Sequence, residues 1–505
     1  MFRKKKASII FIIIQLLSEM LLTYALISSG MIPAKYLAAA IAVELVLLVA
    51  AWLLAFVNIE YKVKKQKVTR RAIAAVIACL MLIVSLVAYI ALDKVGDTLD
   101  EISSEKSVTS VIGVYVRSDD SAKNLKDAKN YHFGYAKAFD PKNTIAAIDS
   151  MADELGIRPK ASNYEDINQL VKAFYDGEVD AIIVNESYAS IITDQEEFSD
   201  FNGDTKIIYE YEIESAAKDK ADKPKKEKKN NDLKSFIIYL SGSDTTSRSL
   251  SGGRSDVNIL MVVNTETKEI LLINTPRDYY VPISVSGYGA RDKLTHCGIY
   301  GVNCSMDSLA NLYSTDVDYY ARINFTGFAT LIDAIGGITV YADEAFCNTS
   351  DNPLLDGTSL VIQKGENNLN GAQALAFARE RVSVSGGDNG RGINQMKMIT
   401  AVIDKMSAGT ILKNYSDILE SLEGMFATDM PSKDITKLVK MQLNDMASWH
   451  IHSYAATGYG GMSVTYSMPG TNLYVTYPDQ ASVDRAAKLI DRVIAGKTLT
   501  DDDVK

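Results

Sequence analysis

Two stretches of this chain place charged residues at spacings that suit chemistry. The first is SDVNILMVVN (255–264), TETK, then EILLINTPRD (269–278). Two apolar strands around a short polar turn read as a hairpin. With the turn centred between Glu266 and Thr267, Asp256 stands opposite Arg277. Arg254 and Asp278 lie just outside that pair, and Asp244 lies upstream in SGSDTTSRSLSGG. Carboxylates and arginines gathered at a strand end suit a metal-bridged phosphate, since carboxylate oxygens hold a hard cation and the guanidinium fork matches phosphate oxygens. The same charges on a solvated rim make only a salt bridge of about 0–1 kcal/mol. The hairpin alone leaves both readings open.

The second stretch is ARERVSVSGGDNGRGINQMKMI (378–399). Arg379 and Arg381 share a face on an extended segment but oppose each other on a helix. Joint action on one ligand therefore requires a helix that ends near Arg379, and Val382, Val384 and the Gly386–Gly387 pair favour that ending. Arg391 and Gln395, four apart, share a face at the start of the next helix, whose free amides attract anions. Burying such groups unpaired is costly, so their convergence points to a phosphate or pyrophosphate ligand over a structural network. Lys293 in ARDKLTHCG offers a further point charge, and Arg322 lies in the strand YYARINF. His296 reads as a packed, hydrogen-bonded histidine and not as a base. No GxSxG is present and no cysteine has an obvious paired base, so nucleophilic catalysis by Ser or Cys has no support.

These residues must be held by a chain of 505 residues, enough for about two or three domains. Apolar runs at 7–29, 34–57 and 72–92 each approach the ~20 residues of a membrane helix. Glu19 and Glu44 fall inside the first two, where a carboxylate is expected to face a helix partner or a polar cavity. Arg3 to Lys6 precede the first span, and six Lys or Arg crowd the loop after the second. Only Lys35 lies between spans one and two, and acidic residues follow span three. The positive-inside rule puts the N-terminus in the cytoplasm and the large C-terminal part outside the cell membrane.

Residues 1–92 carry eleven Lys or Arg against three Glu, net +8, so the remainder holds −18 of the chain's overall −10. Such a surface repels nucleic acid, and an anionic substrate needs local arginines or a divalent cation. Four cysteines and four histidines without CxxC or Cys/His spacing give no zinc site. Cys297 and Cys304 are near enough in sequence to bridge, which leaves Cys347 over.

The expected organisation is α/β throughout the exported part. Three membrane helices (1–92) and a juxtamembrane segment (93–107) lead to a small accessory α/β domain at 108–213. Its alternating strands and helices imply a mostly parallel sheet and a binding or spacer role. A charged low-complexity linker follows at 214–234. A larger α/β domain with a central mixed sheet spans 235–497, with SDILESLEGMFATDM and PSKDITKLVKMQLNDM as two of its helices. Residues 498–505 form an acidic tail.

The ordered motifs GSD, GRSDVNILMVVN, INTPRD and ARER…GGDNGRGINQ resemble the LytR-CpsA-Psr family of cell-envelope glycopolymer ligases. They are most similar to its Gram-positive capsule-type branch, in which three membrane spans and an accessory domain precede the catalytic domain. One departure is Asn394-Gln395 where many members carry Arg-Gln, so no arginine role passes to Asn394. The resemblance implies transfer of a glycopolymer, a capsular polysaccharide, from undecaprenyl diphosphate to a hydroxyl of peptidoglycan. It implies Mg²⁺ (or Mn²⁺) on Asp244 and Asp256. Arg254, Arg277, Lys293, Arg379, Arg381, Arg391 and Gln395 would take the diphosphate. Asp278 and Asp388 are both candidates for the general base. A lipid-diphosphate-binding protein or phosphatase without ligation would use the same cluster. A transcriptional attenuator would need a cytoplasmic DNA-binding element, which the short cytoplasmic parts do not offer.

Overall fold

The computed structural model describes residues 2–56, 64–103, 107–137, 140–216, 233–243, 253–347, 360–406, 418 and 421–505. The linker residues 217–232 and Asp244 therefore lie outside the described residues. The chain forms two compact units. The first holds residues 1–103, 406–423 and 430–448, and the second holds the rest.

In the first unit α1 (Phe2–Ser28), α2 (Ala34–Phe56) and α3 (Lys64–Ile102) are long and apolar enough to cross a membrane. Glu44 meets a partner helix, whereas Glu19 is held by a side chain of its own helix. Gln15 Nε2 donates to Glu19 Oε1 at 2.9 Å, and Thr23 Oγ1 of α1 donates to Glu44 Oε2 of α2 at 2.6 Å. An apolar surround leaves such groups little alternative to internal hydrogen bonds.

The second unit contains two sheets. The small one comes from β1 (Ser107–Arg117), β2 (His132–Ala136), α4 (Pro141–Leu155), β3 (Lys160–Tyr164), α5 (Ile167–Tyr175), β4 (Ala181–Asn185), α6 (Glu186–Ile192), α7 (Phe201–Asp204) and β5 (Thr205–Ala216). Its strand order is β3-β2-β4-β1-β5. β2 runs parallel to β3 and β4, whereas β1 runs antiparallel to β4 and β5. The sheet is thus mixed and not mostly parallel. The reason is the long pair β1 and β5, through which the chain enters and leaves the sheet and which are laddered along their full lengths.

The large sheet has the order β16-β11-β6-β7-β8-β17. These strands are β6 (Ser235–Ser243), β7 (Ser255–Asn264), β8 (Glu269–Asn274), β11 (Tyr319–Asn324), β16 (Phe426–Thr428) and β17 (His450–Ala455). Parallel pairs β11–β6 and β8–β17 flank the antiparallel β6–β7–β8 centre, so this sheet is mixed as expected. Short pairs surround it: β9 (Tyr280–Pro282) with β10 (Arg291–Lys293), β12 (Ile338–Ala342) with β15 (Gly365–Leu369), β13 (Phe346–Cys347) with β14 (Val361–Ile362), and β18 (Gly458–Val464) with β19 (Asn472–Pro478). The helices are α8 (Leu294–Cys297), α9 (Val302–Tyr313), α10 (Phe325–Ala334), α11 (Gly371–Arg379) and α12 (Asp388–Lys405), then α13 (Ser432–Asp445) in the first unit and α14 (Gln480–Ile494).

Strand alternation sorts the side chains. Tyr239, Leu260, Val262 and Tyr320 point into a core shared with Leu309 and Tyr313 of α9 and Leu489 and Ile490 of α14. Their neighbours Leu240, Met261 and Ala321 point to the opposite face, under α10, α11 and α12.

One helical expectation changes. The segment FATDM is not helical: Gly424 has φ +68° and Phe426–Thr428 pairs with β11 as an edge strand. In the acidic tail 498–505, Leu499 joins the core and Asp503 pairs with Arg492.

Candidate functional site

The hairpin register is the one the turn requires, with Ile259 opposite Asn274 and Asn264 opposite Glu269. Asn264 Oδ1 accepts from the backbone N–H groups of Glu266 and Thr267, which fixes the turn. Pro276 lacks a ladder donor, so β8 stops at Asn274 and the chain carries Arg277 past the end of β7. There Arg277 Nη1 donates to Asp256 Oδ1 at 2.9 Å, and Thr295 Oγ1 donates to the same oxygen at 3.2 Å. Arg277 Nε lies 3.7 Å from Asp278 Oδ2 and 4.0 Å from Asp388 Oδ1. Three carboxylates thus surround one guanidinium whose side chain is 15% exposed. Burial opposes the Asp256 charge, but Arg277, Arg254 and Arg391 outweigh it and hold the carboxyl well below its usual range. Arg277 Nε is buried and makes no hydrogen bond, a donor aimed at the middle of the cluster.

The second charged stretch forms the facing wall. α11 ends at Arg379, and Glu380 is extended at φ −64°, ψ 128°. That break lets Arg379 and Arg381 line one cavity. Buried Glu380 holds the turn by accepting from the amides of Val382 (2.8 Å) and Ser383 (3.0 Å). The Arg379 guanidinium lies 4.7 Å from the centre of the Phe325 ring. Arg391 and Gln395 project from the first turns of α12, with Arg391 ion-paired to Asp388 and Gln395 Nε2 donating to the Ala378 carbonyl at 3.3 Å. α12 reaches the end of β8 only because residue 392 is glycine: a Cβ there would lie 2.2 Å from Asn274 Nδ2.

Arg254, Asp256, Arg277, Arg379, Arg381, Arg391 and Gln395 all border a cavity of about 820 Å³ between the large sheet and helices α10, α11 and α12. Away from this polar end the walls are apolar, among them Leu240, Phe328, Leu331, Met398, Val402 and Ile403. A signal for this lining lies in α12: Arg391, Gln395, Met398 and Val402 follow i, i+4, i+7, i+11, one continuous stripe. Lys293 does not border the cavity. It sits behind the wall, 2.9 Å from Asp194 Oδ2 and 3.4 Å from Asp278 Oδ1. Arg322 is 4% exposed and also turns away from the cavity, toward the Gly253 carbonyl at 3.5 Å.

Asp194, just past α6 of the small sheet, is the residue that sequence reading missed. It borders the cavity and takes Arg254 Nη1 and Lys293 Nζ at 2.9 Å and His296 Nε2 at 3.1 Å. No sequence signal marks it, because its partners lie 60 to 102 positions away. His296 is fully buried, with Nδ1 2.7 Å from Asp292 Oδ1 and 2.8 Å from Ser467 Oγ. Burial opposes its proton, yet Asp292 and Asp194 outweigh that and push the imidazole pKa above its ordinary value. This packed, doubly paired histidine matches the sequence expectation.

Among the described residues no three His, Cys, Asp or Glu side chains gather as a metal cage. Asp256 nevertheless keeps an anionic carboxylate on the cavity wall. Mg²⁺ is commonly held by one or two carboxylates together with substrate phosphates, which this donor set fits. Cys297 and Cys304 are both buried and unbridged.

Comparison with known proteins gives the same direction. Residues 205–485 match the family model LytR_cpsA_psr family. Relatives include the polyisoprenyl-teichoic acid–peptidoglycan teichoic acid transferase TagU of Enterococcus faecalis, 32% identical over 41% of this chain and 66% of its own length. The TagU of Bacillus subtilis is 32% identical over 42% of this chain and 65% of its own length. The chain thus spans just under two thirds of each of these relatives. Among solved structures, B. subtilis TagV aligns at 25% identity over 53% of this chain and 99% of its own, with a TM-score of 0.43. The family match covers more than half of the residues, and the chain belongs to the LytR-CpsA-Psr family.

Proposed function

We propose that this chain is a membrane-anchored, extracellular transferase that moves a glycopolymer from a polyprenyl diphosphate carrier to a hydroxyl of peptidoglycan. The observation that carries this reading is the shape of the cavity: a long apolar chamber that ends in five arginines. An amphiphile with an apolar tail and a diphosphate head matches both halves at once. The relatives' name, polyisoprenyl-teichoic acid–peptidoglycan teichoic acid transferase, describes the same kind of donor and acceptor. Capsular polysaccharide is the polymer favoured by the three spans and the small domain that precede the large sheet, while the named relatives handle teichoic acid. The uneven Lys and Arg content of the loops supports an external site.

In this reading the arginines grip the diphosphate and stabilise charge as the acceptor oxygen attacks phosphorus. The P–O bond to the lipid phosphate breaks, and polyprenyl phosphate leaves. Asp388 is the favoured acceptor of the hydroxyl proton, because its side chain is 31% exposed against 14% for Asp278. Mg²⁺ or Mn²⁺, held by Asp256 and Asp244 with the diphosphate oxygens, would neutralise charge on the leaving phosphate.

The test is reconstitution. Purified full-length chain is given a polyprenyl diphosphate-linked glycan, Mg²⁺ and peptidoglycan. Glycan attached to peptidoglycan is the expected product. Glycan phosphate released only to water would replace ligation with hydrolysis.

A further inference from the structure

We propose that Asp194 is a resident counter-anion of the phosphate site, carried in by the small domain, which an incoming diphosphate displaces from Arg254. This inference rests on the functional reading above. Three donors of the large-sheet region, Arg254 Nη1 and, from one local segment, Lys293 Nζ and His296 Nε2, converge on the two oxygens of this one carboxylate at 2.9–3.1 Å. That is the arrangement of an anion subsite, and here a protein carboxylate fills it. Arg254 and Asp194 both line the arginine end of the cavity, so the carboxylate stands beside the place where a phosphate would lie. Burial works against the Asp194 charge, but His296, Lys293 and Arg254 outweigh it and hold its pKa well below the usual range. The carboxylate is therefore anionic at any physiological pH.

Glue between the two sheets is the plainer role, and the structure argues against it as sufficient. The small domain is docked by other means. Tyr188, Ile191 and Ile192 pack with Ile299, Met468 and Leu473 in one apolar cluster. Asn168 Nδ2 also donates to Thr471 Oγ1 at 2.7 Å. With docking supplied there, the distinct effect of Asp194 is electrostatic. It neutralises Arg254, the one of its three partners that borders the cavity, and it repels an oxyanion placed in the same chamber. The remaining carboxylates of the site, Asp256, Asp278 and Asp388, come from the same region as the arginines they pair with. Among the described residues, Asp194 and its neighbour Thr193 are the ones that reach the cavity from the small domain, and Asp194 is the charged one. The small domain thereby sets how tightly the head group is held, and weaker holding favours release of the anionic lipid product.

The experiment uses the full-length chain in detergent, with farnesyl diphosphate and farnesol as probes. Asp194→Asn keeps the shape and removes the charge. It is expected to bind farnesyl diphosphate on the order of tenfold more tightly than the parent chain, with farnesol unchanged. Equal or weaker diphosphate binding by the variant, in a parent that prefers diphosphate to farnesol, overturns the counter-anion role. A parent and a variant that both bind farnesyl diphosphate no better than farnesol would instead sink the functional reading, and this inference with it. A second measurement needs no variant. Amide hydrogen exchange over residues 193–198 of the parent chain should quicken with farnesyl diphosphate and not with farnesol, since the ligand takes Arg254 from Asp194. Slower or unchanged exchange with bound diphosphate overturns the displacement.

Discussion

The two sheets of the second unit share a plan and finish it differently. The small sheet is closed on both faces. Phe133 and Ile183 pack with Met151 of α4 on one side, and Ile182 packs with Leu170 and Phe174 of α5 on the other. The large sheet is closed on one face by α9 and α14 and stands over an 820 Å³ chamber on the other. Its strand ends carry a crossed set of charges, and its helix α12 brings arginine and glutamine to those ends. The same α/β layering therefore yields a scaffold in one case and a candidate site in the other. The difference comes from what is placed at strand ends and how far one helix layer stands from the sheet.

The largest effect that would break this contrast comes from the charged pair. Arg277→Ala and Asp256→Ala should each lower transfer by at least about 100-fold, as expected for loss of a buried charge that stabilises a transition state. Phe133→Ala, in the closed sheet, should cost about 3–5 kcal/mol of stability and leave the activity of the folded fraction unchanged. Transfer assays normalised to folded protein decide this, and full activity in both charge variants would refute the site. Next comes the chamber wall. Val402→Asp should weaken farnesyl diphosphate binding by roughly tenfold or more, because an unpaired carboxylate meets the tail, while inorganic pyrophosphate binding persists. Equal losses for both ligands would place the tail elsewhere.

A glycine pair gives a smaller and sharper test. Gly392→Ala sets a methyl 2.2 Å from Asn274 Nδ2 and displaces α12, and Gly134→Ala sets one 2.7 Å from Leu170 Cδ1 in the small sheet. Each should destabilise by about 1–3 kcal/mol in denaturant titration, but only Gly392→Ala should also reduce transfer by the molecules that stay folded. The smallest effect is a pH dependence. The folded pKa of His296 lies above its ordinary 6.5, so its stabilising contribution is complete below about pH 6.5 and is lost as pH rises through the raised folded value. The stability advantage of the parent chain over His296→Gln should therefore be larger at pH 6 than at pH 9. An advantage that grows with pH would contradict the ion pairs with Asp292 and Asp194.

Much of the site was legible because its parts are local. The hairpin register follows from a four-residue turn, and the helix end at Arg379 follows from two β-branched residues and two glycines nearby. Arg391 and Gln395 share a face by helical spacing alone. Other parts depend on distant pairing. Asp194 acts through contacts that no local pattern encodes, and Lys293, reached through the same pairing, proved to stand behind the wall. Phe426–Thr428 carries helix-compatible residues, but the open edge of β11 draws it into the sheet. The direction of β1 was likewise set by its partner β5 and not by the alternation of strands and helices.

From Arg391 to Ile403 the lining stripe of α12 covers about 18 Å at about 1.5 Å per residue. Under the proposed function, phosphate grip and tail groove are thus graduations on one rigid ruler. A chain short enough to fit is measured along its whole length. Any longer chain is measured only over its first segment, and its remainder must leave the groove. Head-group affinity should therefore rise with the number of prenyl units and then level off, so that a short soluble carrier past that length reports faithfully on the grip of a much longer one.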